Sequence, residues 1–143
     1  MRIVFVFLSV SWMGFLGILG FVPNEYIHLP ITDDKLLHAL GFGVLAFLVY
    51  FCWELSSTKK NLVATFVPVF GMAVISECAQ GLSPYRSFEG MDIVYNVLGL
   101  CIGLGASLLT EWMVELLKKL QSRWMRKSED AYVPLEDLGE RLV

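Results

Sequence analysis

The sequence predicts an all-α fold: an integral membrane four-helix bundle with an amphipathic C-terminal extension. Three observations lead there. The 143 residues are 56% hydrophobic and only 17% charged, where a soluble domain carries about 45–50% apolar and about 25% charged residues. The mean hydropathy is +0.62. The apolar residues are gathered into four blocks of about twenty residues, each long enough to cross a hydrocarbon core of about 30 Å. A soluble globule and an intrinsically disordered chain are both excluded by this composition.

The first block, Ile3–Val22, contains no charge. Its length, and the lack of an A-x-A-like site before Pro23, argue against a cleaved signal peptide. The second block, Leu36–Trp53, has only His38 as a polar residue. The third, Asn61–Leu82, is free of charge until Glu77 and contains Pro68, which cannot donate to the carbonyl of Ala64 and should kink the helix. The fourth, Ile93–Thr110, is again uncharged. In lipid every backbone polar group must be bonded within its helix or in a closed barrel. The blocks lack the alternation a barrel strand needs, so each is read as a helix. Glycines at 14, 17, 20, 41, 43, 99, 103 and 105 suit close helix approach in a membrane.

The chain then divides into a four-span body over residues 1–110, a basic helical extension over 111–127 and an acidic tail over 128–143. Leu116, Leu117, Leu120, Trp112 and Trp124 recur at helical spacing in the extension, and Lys118, Lys119, Arg123, Arg126 and Lys127 give it a basic face. Such a helix suits the headgroup layer, or it serves as a stop-transfer flank. The body and extension together carry a net charge of +1 and the tail -4, so the overall acidity belongs to the tail. No nucleic-acid partner is expected. The tail is expected to be mobile and free to meet a cytosolic partner.

Lys and Arg set the orientation. Arg2, Lys59, Lys60, Lys118, Lys119, Arg123, Arg126 and Lys127 would share one side, against Lys35 and Arg86 on the other. Cytosolic flanks collect such residues, so both termini are expected in the cytosol, in a membrane the sequence does not specify. Cys52, Cys78 and Cys101 form no CxxC motif and are read as packing residues, with Cys52 near enough to the cytosolic side for acylation.

Eight residues remain: Asp34, Lys35, His38, Glu77, Gln80, Arg86, Asp92 and Asn96. Seven fall at the outer ends of helices two, three and four, and Arg86 is expected in the short outer loop, so all eight lie at the outer end of the protein. Asp34 and His38 are four apart and share a helix face, as do Glu77 with Gln80 and Asp92 with Asn96. Gly99 and Gly103 extend the last stripe inward. A faint echo, Asp34-x3-His38-x-Leu40-Gly41 against Asp92-x3-Asn96-x-Leu98-Gly99, suggests two parallel hairpins about an axis along the membrane normal.

The pattern Asp34-Lys35-x2-His38, followed by Glu77-x2-Gln80-x5-Arg86-x5-Asp92-x3-Asn96-x2-Gly99, resembles the VanZ-like family of small multi-pass membrane proteins. The Pro23…Pro30 stretch does so too, and the likeness covers roughly residues 15–110. It implies a four-helix membrane domain. The tail lies outside the family pattern.

Intramembrane ionisable groups are expensive and mark function by default. The sequence therefore points to an outward-facing polar pocket for an anionic lipid or a lipid-linked headgroup. Lys35 and Arg86 would hold the anion, with Gln80, Asp92 and Asn96 contributing to binding. His38, Glu77 and Asp34 are the acid/base candidates for a headgroup hydrolase or transferase, although Ser83 and Ser87 lack a nucleophile context. Whether any reaction occurs is left open. The alternative is a structural or interaction protein whose polar residues only fix packing, Asp92 with Arg86, Asp34 with Lys35 or His38, Glu77 with Gln80 or Asn96. Interhelical hydrogen bonds of this kind average about 0.6 kcal/mol. No cofactor is implied; His38 with Asp34, Glu77 and Asp92 could offer mixed N/O ligation to a metal, but none is expected because no ligand-spacing motif is present. Membrane lipids are the expected partners, and homo-oligomers are compatible.

Overall fold

A computed structural model describes residues 2–22, 34–84 and 86–131. Four helices follow in chain order: α1 (Ile3–Phe21), α2 (Asp34–Tyr50), α3 (Thr58–Gln80) and α4 (Gly90–Ala131). No strand occurs among the described residues. The expected all-helical class is therefore observed. The expected loop over 23–33 and the tail from residue 132 onward lie outside the described residues. Residues 128–131, read as the start of the tail, continue α4.

Helices α1, α3 and α4 are each long and apolar enough to cross a membrane. The second apolar block gives a shorter element than its composition suggested. α2 has 17 residues, at the lower end of the span range of about 17–25 residues. Phe51 and Cys52 turn out of the helix, although both are apolar. The connection that follows is closed by Asn61, whose Oδ1 accepts the Leu55 N–H at 3.1 Å. Ser57 then caps α3, its side chain accepting from the Lys60 N–H. α3 continues through Pro68 as one helix.

Contacts divide the chain into two compact units, residues 1–107 and 108–143. In the first unit α1 packs on α2 and α3, and α2 packs on α3. Its interior is partly polar. Tyr50, Leu45, Leu100, Glu77, Asn96, Thr65 and Ser107 are wholly enclosed. Thr65 and Ser107 return their hydroxyls to the carbonyls of Asn61 and Gly103, both at 2.9 Å. Large apolar side chains instead face outward, with Ile3 79% and Phe7 73% exposed. Water would not tolerate so much continuous apolar surface on a monomer, whereas lipid does.

The seam between α2 and α4 is made of small residues. Gly43 lies against the Gly99 carbonyl. A side chain at Gly99 would run into the Ala39 carbonyl, and one at Gly103 into the Gly43 carbonyl. The backbones thus meet directly, as glycines allow in membrane helices. At the other end of the unit, Arg2 Nε pairs with Glu54 Oε1 at 3.2 Å across exposed surface. Such a pair adds little stability, but it puts the start of α1 beside the α2–α3 connection.

Cys52 is buried, with Ser9 Oγ 3.4 Å from its sulfur and the thiol directed at the Leu48 carbonyl. Acylation needs an accessible thiol, so the sequence-based suggestion for Cys52 is not supported. Cys78 and Cys101 are exposed.

In the second unit the described chain is helical through residue 131. Trp112, Leu117 and Trp124 are exposed there. Lys119, Ser122, Arg123, Arg126 and Lys127 line one shallow depression, which gives the extension the basic face expected from its spacing.

Candidate functional site

The polar residues meet where α2 begins, α3 ends and α4 begins. The turn after α3 is built by short-range bonds. Gly81 and Leu82 donate to the carbonyls of Glu77 and Ala79, and Ser83 to that of Gln80 at 2.9 Å. The chain enters α4 under the control of Glu77, whose Oε1 accepts the Glu89 N–H at 2.9 Å. Asp92 N–H then bonds the Glu89 carbonyl at 2.9 Å. This is why α4 starts at Gly90, before the apolar block begins.

Arg86, in that turn, reaches α2. Its Nη1 donates to Asp34 Oδ2 at 3.0 Å. The arginine side chain is 10% exposed and the aspartate 46%. Arg86 Nε is buried and has no hydrogen-bond partner among the described residues. His38, one turn into α2, faces α4. Its Nδ1 is 3.1 Å from Asn96 Oδ1, and its Nε2 is 3.6 Å from Asp92 Oδ2. The second distance is too long for a hydrogen bond. Asp34, His38 and Asp92 each offer one ligand atom within 4.8 Å of the others.

Two of the expected pairings are corrected. Arg86 pairs with Asp34, not with Asp92. Asp92 and Asn96 instead face His38. Glu77 bonds the Glu89 backbone in place of Gln80 or Asn96. The physical reason is the glycine seam, which brings the Asp92–Asn96 stripe of α4 against His38 and leaves Arg86 the more exposed carboxylate at the start of α2. Lys35, read as an anion holder, stands over the Tyr95 ring at 5.9 Å from its centroid and does not line the cavity described next.

That cavity lies among α1, α2 and α3 and measures about 190 Å³. By this measure one water needs only about 10–15 Å³, so a much larger guest fits. Its walls are mostly apolar: Met13, Leu16 and Leu19 from α1, Leu37, Phe42 and Leu45 from α2, Met72 from α3. One end is polar, formed by Asp34, His38, Ser76, Gln80 and Arg86. Arg86 is the only Lys or Arg among the described lining residues. Glu77 is fully buried but does not line the cavity. Sequence reasoning named Gln80 but missed the α1 wall and the Met72 and Ser76 members of the Met72–Ser76–Gln80 stripe. The spacing of four in that stripe was a usable signal, while the α1 wall has no polar marker.

The sequence profile of the VanZ/LLP1 family matches residues 3–111. An uncharacterised protein of Schizosaccharomyces pombe is 35% identical over 92 residues, covering 64% of this chain and 54% of that protein. The chain thus spans about half the length of that relative. No solved structure matches.

Proposed function

We propose a binding function for this chain, which belongs to the VanZ/LLP1 family: it holds an anionic amphiphile, a lipid or lipid-linked headgroup, in the cavity among α1, α2 and α3. The observation that carries this reading is Arg86. A guanidinium nine-tenths buried, at the polar end of an apolar cavity and with Nε unsatisfied, has donor capacity left for an oxyanion. Arginine suits phosphate and carboxylate because its donors form a planar fork. The apolar walls would take the chain and Gln80 a headgroup hydroxyl.

Native mass spectrometry of the detergent-purified protein tests this. Wild type is expected to retain an anionic lipid, and Arg86→Ala to lose it while helix content is unchanged. A wild type that retains none and takes up none from anionic vesicles would overturn the reading. A second reading, packing alone, is favoured by the Arg86–Asp34 pair and by the Glu77 bond to Glu89, since both join separate segments. It predicts that Arg86→Ala lowers stability and lipid retention together.

We also propose that both termini face the cytosol and that the polar end faces outward, on the asymmetry of Lys and Arg. Ser56→Cys and Ser87→Cys, both at exposed positions and introduced singly into a background in which Cys52, Cys78 and Cys101 are replaced by alanine, separate the sides. A membrane-impermeant maleimide applied outside is expected to label only the cysteine at 87; the reverse pattern would invert the topology.

A further inference from the structure

We infer that Asp34, His38 and Asp92 hold a divalent cation at the polar end of the first unit. The three residues come from two helices. Their ligand atoms lie within 4.8 Å of one another, and His38 Nε2 is 3.6 Å from Asp92 Oδ2. Two bonds of about 2.1 Å to one ion, opening at tetrahedral to octahedral angles, separate their ligand atoms by about 3.0–3.5 Å. The observed gap is close to that spacing and too wide for a hydrogen bond.

The environment of His38 supplies a second, independent argument. Asn96 is wholly buried, and its Oδ1 lies 3.1 Å from His38 Nδ1. With Nδ1 donating to that amide oxygen, Nε2 is the nitrogen turned toward the Asp92 carboxylate. A cation seated between the two would be ligated by both. Metal-bound imidazoles almost always anchor their other nitrogen in this way. The Asn96 Nδ2 itself has no partner among the described residues, so the amide is held in place by the histidine alone. Imidazole with two carboxylates is a mixed N/O set that suits Mn²⁺, Fe²⁺ or Zn²⁺.

The ligands are four and fifty-four positions apart and fit no spacing motif, so along the chain they stand out only as a loose mixed N/O set together with Glu77, which is not part of the cluster. Asp34 and His38 also line the cavity, so a cation there would stand beside any oxyanion on Arg86. Cation binding itself needs no amphiphile and does not rest on that reading.

The full-length protein, delipidated in detergent and stripped with chelator, is titrated with Mn²⁺ alone. One Mn²⁺ per chain is expected, with electron spin echo modulation from an imidazole nitrogen. Asp92→Asn and Asp34→Asn are each expected to weaken binding at least tenfold, and Asn96→Leu by about 10–100-fold. Should His38→Gln fail to fold, Asp34→Asn still decides the matter, because Asp34 is half-exposed at the first residue of α2. No Mn²⁺ bound beyond that of an Asp34→Asn/Asp92→Asn double variant, or bound Mn²⁺ without nitrogen modulation, would overturn the assignment.

Discussion

Gly99→Ala is expected to destabilise the protein by about 2 kcal/mol or more. In an ordinary helix the change would help, since alanine is favoured over glycine by about 1 kcal/mol. Here the added carbon would meet the Ala39 carbonyl of α2, a backbone group fixed by its own helix. Overpacking typically costs about 1–3 kcal/mol, and a rigid obstacle puts the cost at the upper end. Gly103→Ala meets the Gly43 carbonyl and the Ala46 side chain in the same seam, so its effect should not simply add to the first. Gly14→Ala and Gly71→Ala are the controls. Nothing lies within 4 Å of a side chain at either position, and both should be neutral or slightly stabilising. Denaturant unfolding in detergent, followed by circular dichroism, ranks the four variants. Equal stability of Gly99→Ala and Gly71→Ala would refute the close approach of α2 and α4. Because that seam positions Asp92 and Asn96 against His38, the first variant should also reduce metal and lipid binding.

The fold was legible in the sequence because lipid makes a simple demand. A span must be apolar and self-bonded, and blocks of about twenty apolar residues satisfy both conditions. Helix ends were less legible, because apolarity does not mark them. Phe51 and Cys52 look like span and lie in a turn. Gly90 to Asp92 look like loop and are helical, since the Glu77 carboxylate anchors the Glu89 amide just before them. The members of the polar cluster were legible from their spacing and from the cost of ionisable groups in a membrane. Their partners were not. Three acids, one histidine and two bases can pair in many ways, and the choice is made by the glycine seam. It presents Asp92 to His38 and leaves Asp34 to Arg86. A cavity walled by three helices has no signature along the chain at all.

Glu77→Leu and Glu77→Gln are expected to part company, and the difference reports on what this carboxylate does. Glu77 is fully buried on α3, where an acid is costly unless bonded. Its Oε1 accepts the Glu89 N–H, and Oε2 has no partner among the described residues. Leucine fills the volume and removes the acceptor, leaving a partly buried amide unpaired at the entry to α4. Losing that bond should cost about 1–3 kcal/mol and loosen the start of α4, where Asp92 and Asn96 are carried. Glutamine keeps an oxygen for Glu89 and nearly the same shape, so its stability should remain within about 1 kcal/mol of wild type. Since Glu77 does not line the cavity, Glu77→Gln should also keep the co-purifying lipid, whereas Glu77→Leu should lose stability and lipid in parallel. Unfolding and native mass spectra on the same preparations read both. A glutamine variant as unstable as the leucine one would show that the carboxyl group itself, and not merely an acceptor oxygen, is essential to the fold. A stable glutamine variant without lipid would instead make Glu77 a binding group acting from outside the cavity wall.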